Sequence, residues 1–166
     1  LFPALAVLAL GVRRLRFPTS WRRFTLAIVS GATLAILLAS ILEFFFQFLI
    51  AHGQSPNILL CIDRPDMPNC QSSTVYDLLL VIVAVMAPLV EETVKPLAAV
   101  LLIGRVRSAA EAFVLGLACG IGFDLIETTG YISAGYTDWL GTAVVRTSAG
   151  LLHGFGAAMV AVGWYY

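Results

Sequence analysis

Charge is scarce in this sequence: only 12% of its 166 residues are Asp, Glu, Lys or Arg, about half the share usual in soluble domains. The formal net charge is zero; it says little alone, because the charges are segregated along the chain, and no basic surplus points to a nucleic acid partner. Histidine occurs twice and cysteine three times. There is no Gly-rich phosphate loop, no obvious pairing of a Ser or Cys nucleophile with histidine, and no HExxH run. The usual sequence marks of nucleotide binding, of nucleophilic hydrolysis and of soluble zinc peptidases are therefore missing. No internal repeat or low-complexity tract stands out.

Apolar residues fill the space that charge leaves. They make up 60% of the chain, and the mean hydropathy is +0.92, which places the chain in a membrane. Since each crossing takes roughly 20 residues, the length suits a single domain over 1–166: an all-α, polytopic bundle of about four full transmembrane helices plus a partial N-terminal helix. The apolar run at the N-terminus, "LFPALAVLALGV", is too short to span and reads as the remnant of a first helix. The chain starts at Leu1 and stops inside "GWYY", so it reads as a fragment truncated at both ends. Further helices are expected over about 24–51, 75–103, 111–131 and 141–164.

Basic residues are retained on the cytoplasmic side of short loops. Arginines concentrate in loops 13–23 and 104–110, which puts those loops in the cytoplasm and loop 52–74 outside. Outside, Cys61 and Cys70 can oxidise to a disulfide; closing a ring of about ten residues contributes roughly 2–3 kcal/mol on the chain-entropy model. Cys119, within an apolar helix, reads as a small buried residue.

Ionisable groups inside such helices are costly and mark functional sites by default. "APLVEETVKPLAAVLL", residues 87–102, carries Glu91, Glu92 and Lys95 in one apolar run. At 1.5 Å per residue, Glu91 lies roughly 22 Å from the outer end of its helix, Glu127 roughly 24 Å from the inner end of the next, and His153 about 21 Å down the last. Carboxylates and histidine thus reach similar depths. Lys95 follows Glu91 by four residues and Glu92 by three, so it can offset part of their charge. Pro88 removes a backbone donor one turn earlier. Gly116, Gly120 and Asp124 form one stripe that permits close helix approach, and Arg146, Gly150 and His153 share another.

Two or three carboxylates with a histidine can activate water by general base catalysis, or can hold a divalent metal such as zinc whose bound water becomes nucleophilic. Both routes favour hydrolysis. The plainer readings are a structural ion-pair network for Glu91, Glu92 and Lys95, and an interhelical hydrogen bond for Glu127. Intramembrane Glu, Lys, Asp and His also mark ion or proton pathways, although neither repeats nor broken helices of the transporter kind are clear here.

"EETVK" at 91–95, "GFDLIE" at 122–127 and "RTSAGLLHGFGAAMVAVG" at 146–163 resemble, in order, the motifs of the PrsW-type intramembrane proteases: EExxK, a GFxxxE helix, and an Arg followed about two turns later by His. That family belongs to the wider group of CAAX-processing and bacteriocin-processing membrane peptidases. The resemblance covers about half the chain. It implies a polytopic bacterial endopeptidase that cuts a membrane-anchored protein, such as an anti-sigma factor, to start regulated proteolysis. By position, Glu91 is similar to the base that activates water, with Glu92 its acidic neighbour and Lys95 the motif cation. Glu127 and His153 fall where water, a metal or the oxyanion is bound, with Arg146 and Asp124 in support. Thr128 stands where members often have Asn, and Asp124 where they have a small residue. The alternatives are an ion- or proton-coupled transporter or channel, and an inactive homologue that binds membrane segments without cutting them.

Overall fold

The computed structural model describes residues 2–15, 19–52, 61, 67–70, 73–103, 105–134 and 139–166. Among them there are five main helices and no strand. Helix α1 is Phe2–Arg14. Helix α2, residues 21–52, joins Trp21–Ser30, a π-helical turn at Gly31–Ala35 and Ile36–His52. Helix α3, residues 73–103, joins Ser73–Val81, a π-helical turn at Ile82–Met86 and Ala87–Ile103. Helix α4 is Ala109–Ala134 and α5 is Trp139–Tyr165. By length and composition, three stretches can cross a bilayer: Trp21–Ile50, Ala109–Ser133 and Trp139–Tyr165. The protein is thus an all-α integral membrane protein.

The ends of the helices follow local chemistry. Ser20 caps α2, its hydroxyl accepting from the Arg23 amide. Ser108 does the same for α4, accepting from the Glu111 amide at 3.1 Å, while the Glu111 carboxylate turns back to accept from the Arg107 amide at 2.7 Å. This reciprocal Ser-x-x-Glu arrangement satisfies donors that a helix start leaves without partners.

The helices group into two compact units, residues 1–37 with 92–166 and residues 38–91. The second unit holds the Cys61–Cys70 disulfide, with its Cα atoms 5.4 Å apart; the rest of loop 52–74 lies mostly outside the described residues. Its π-helical turn at Ile82–Met86 ends just before Pro88, whose missing N–H cannot reach the Ala84 carbonyl.

In the first unit α4 is the central helix. Its residues Ala112, Val114, Leu115, Leu117, Ala118, Cys119, Ile121 and Phe123 are all buried. Of these, Val114, Leu115, Leu117, Ala118 and Ile121 pack with Leu8 of α1, Phe24 and Ala27 of α2 and Ala158 of α5 into one core. An apolar helix that is hydrophobic all round belongs in such a position. Its glycines set how close the neighbours come. A Cβ on Gly116 would sit 2.6 Å from the Ala157 carbonyl oxygen, and one on Gly120 would overlap the His153 carbonyl oxygen. The Gly116–Gly120 stripe therefore brings α5 against α4 at backbone contact, with His153 at the point of closest approach. Gly120→Val is expected to lower stability by about 1–3 kcal/mol, the usual cost of overpacking. Gly130→Ala, where no atom lies within 4 Å, is expected to change it by less than about 0.5 kcal/mol. Thermal unfolding of the two variants in detergent makes the comparison; equal effects would mean that the close approach is not a packing constraint.

Candidate active site

Within the first unit, three helices bring their ionisable side chains together. Residues 92–103 of α3 supply Glu92 and Lys95, α4 supplies Asp124 and Glu127, and α5 supplies Arg146 and His153. Lys95 is the chain's one lysine and is fully buried. Its Nζ lies 2.6 Å from Glu92 Oε1 and 2.6 Å from His153 Nδ1. It also sits 4.2 Å from the centre of the Phe123 ring, whose π face attracts a cation. One ammonium thus holds a carboxylate one turn away and a histidine on another helix.

His153 is gripped from both sides. Its Nδ1 is 3.0 Å from Glu92 Oε1, and its Nε2 is 3.1 Å from Glu127 Oε2. The Phe123 ring lies beside it, with centroids 5.8 Å apart. A carboxylate on one ring nitrogen fixes the orientation of the ring and presents the other nitrogen for chemistry.

A second network holds Glu127. Arg146 Nη2 reaches Glu127 Oε2 at 2.5 Å and Asp124 Oδ1 at 3.2 Å, and its Nε donates to Thr128 Oγ1 at 3.2 Å. Thr128 in turn donates to Asp124 Oδ1 at 2.9 Å, and the guanidinium stands 4.8 Å from the centre of the Tyr131 ring. Asp124 is 3% exposed. A buried carboxylate of this kind is tolerable because it is paired and hydrogen-bonded at once. The two departures from the family pattern, Asp124 and Thr128, are thus joined to each other and to Arg146.

The structure therefore gathers Glu92, Lys95, Asp124, Glu127, Arg146 and His153. Glu91 precedes Glu92 on α3, and the boundary between the two compact units falls between them. Several partners were not readable beforehand. Cys119 is buried as expected, but its thiol also donates to the Lys95 carbonyl at 2.9 Å and lies 3.5 Å from Ser30 Oγ. Pro96, next to Lys95, lies inside the helix, so the Glu92 carbonyl receives no amide from that position. The signal that would have found Phe123 and Cys119 is the i, i+4, i+8 stripe that runs back from Glu127.

As to a metal, the formal charges of Glu92, Asp124 and Glu127 exceed those of Lys95 and Arg146 by one negative unit, which favours a further cation. Glu92 Oε2 is buried with no hydrogen-bond partner among the described residues. The 3.1 Å between His153 Nε2 and Glu127 Oε2 is close to the spacing of two ligands with bonds of about 2.0–2.1 Å to one tetrahedral zinc. His153 Nε2 and Glu127 Oε2 thus offer two ligand atoms that could hold such an ion.

A helical membrane protein whose buried carboxylates converge on an oriented histidine belongs, as a class, with proteins that handle water or protons inside the bilayer. The family model of the PrsW family intramembrane metalloproteases matches residues 18–166. The chain belongs to that family, and so to the intramembrane proteases. No curated protein and no solved structure matches it.

Proposed function

We propose that the protein hydrolyses a peptide bond of a membrane-anchored protein, of the anti-sigma-factor kind, and so starts regulated proteolysis in a bacterial plasma membrane. In this reading loops 13–23 and 104–110 are cytoplasmic and loop 52–74 is external. The observation that carries the chemistry is the histidine held at Nδ1 by Glu92 and facing Glu127 through Nε2.

The roles follow from that arrangement. Glu91 takes a proton from water as that water attacks the scissile carbonyl carbon, and the proton passes to the departing amine. Glu92 and Lys95 keep His153 in one orientation. Arg146, fixed by Asp124 and Thr128, holds Glu127 toward His153 and places positive charge where an oxyanion develops. Glu127 and His153 are the residues that would hold a divalent metal such as zinc; when bound, such an ion supplies polarisation of the carbonyl and a lowered pKa for water.

The test is the purified protein in liposomes with a single-pass membrane protein fused to a reporter. Release of a cut fragment is expected, and it should stop on dialysis against a chelator and return on adding back zinc. A transporter or an inactive binder would release no fragment under any condition, and that outcome would end the protease reading. Cleavage that persists through complete metal removal would leave hydrolysis to the carboxylates alone.

A further inference from the structure

A second feature lies at the other end of α5, some 12 residues and hence about 18 Å along the helix from His153. An open cavity of about 1130 Å³ is lined there by Arg23, Arg105, Arg107, Trp164 and Tyr165, all within the first unit, over an apolar floor. Its charge is only partly cancelled, through Arg23. Glu111 is the acidic group next to it, and Glu111 is already committed: Oε1 takes Thr19 at 2.8 Å and Arg23 Nη1 at 3.3 Å, and Oε2 takes the Arg107 amide at 2.7 Å. The Arg105 and Arg107 guanidinium groups are exposed and have no acidic partner among the described residues. Arg23 anchors the wall through the Arg105 carbonyl, with Nη2 to oxygen 2.6 Å, yet its own Nε is buried with no partner.

Two exposed arginines, Arg105 and Arg107, beside a third whose charge is met by Glu111 leave a surplus of positive charge at one cavity, which suits an anion with several acceptor oxygens, because the guanidinium fork matches phosphate. Trp164 and Tyr165 are the ring types that settle at the head-group level of a bilayer. Their place beside the arginines ties the anion to a membrane depth. We propose that this cavity is a binding site for the phosphate of an anionic phospholipid head group. Arg105 and Arg107 supply the charge, Arg23 the buried donor, and Trp164 and Tyr165 the contact with glycerol and the upper acyl chain. A soluble phosphate ester shares the phosphate chemistry, so the experiment must tell the two sources apart.

The experiment is native mass spectrometry of the protein in neutral detergent with added phosphatidic acid or phosphatidylcholine. It is repeated with glycerol 3-phosphate as competitor and at raised salt. The parent should retain phosphatidic acid well above phosphatidylcholine. Arg105→Gln with Arg107→Gln should cut that retention on the order of thirtyfold, given the usual strength of one basic side chain against an anionic membrane surface. Arg13→Gln with Arg14→Gln removes the same charge from exposed positions outside the cavity and should change little. Competition by glycerol 3-phosphate would assign the site to a phosphate ester in general, and its absence to the intact lipid. Equal retention of the two lipids by the parent, or equal losses in the two double variants, would overturn the proposal. Thermal unfolding of each variant, recorded alongside, confirms that retention is compared between folded proteins.

Discussion

Glu91→Gln and Glu127→Gln are each expected to slow reporter release by about 10²–10⁴-fold while the protein still folds, since the amide keeps the size of the side chain but cannot take a proton at neutral pH. The stronger part of the expectation lies in the combination. Glu127 Oε2 and His153 Nε2 stand 3.1 Å apart, too close to act on different things. His153→Ala should therefore match Glu127→Gln in its cost, and the two together should cost little more than the worse of them, because residues that work as a unit are not additive. Single-turnover rates in liposomes give the four corners of the cycle. If the two losses multiply, the histidine and the carboxylate serve separate steps and the proposed site is wrong.

Lys95→Met is expected to be the most destabilising change in the site. Methionine fills much of the space, but Glu92 Oε1 then loses a charged donor at 2.6 Å and His153 Nδ1 loses its contact at the same distance. Removing one partner of a buried pair leaves a charge without compensation, at a cost of about 3–5 kcal/mol when both are fully enclosed. Glu92 keeps 23% side-chain exposure, which argues for the lower end, about 3 kcal/mol. For a chain of this length that corresponds to a fall of very roughly 6–12 °C in melting temperature. Cleavage should fall too, because His153 loses one of the two groups that fix its ring. A variant that melts and cuts like the parent would show that Lys95 neither supports the fold nor orients the histidine.

How much of this was legible depended on the range of the interaction. The existence of the helices could be read from apolar runs, and the Glu92–Lys95 pair from a spacing of three, since that separation places two side chains on one face of a single helix. What joins helices was harder. Depth arithmetic put Glu127 and His153 at one level, and periodicity put Arg146 on the face of His153, but neither gives the rotation of α4 about its own axis. That rotation decides that Asp124 and Thr128 meet Arg146. Cys119 looked like ordinary core, and Phe123 stood in its motif with no role assigned, because a thiol on a carbonyl and a ring under an ammonium use no charge of their own. The π-helical turn at Gly31–Ala35 left no mark in the pattern of residues, whereas the one at Ile82–Met86 comes just before Pro88.

The glycine seam between α4 and α5 also governs traffic. At Gly116 and Gly120 the two backbones touch, whereas a helix with its side chains is about 10 Å across. No travelling segment passes through that wall, so it is the blind side of His153. In the proposed reading, a peptide diffusing in the plane of the bilayer comes to the histidine from another side and gives up its own coil to expose a carbonyl there. On that reading, which segments are cut would depend on how readily they unwind, and the sorting of substrates would be a matter of their internal cohesion as much as of their sequence.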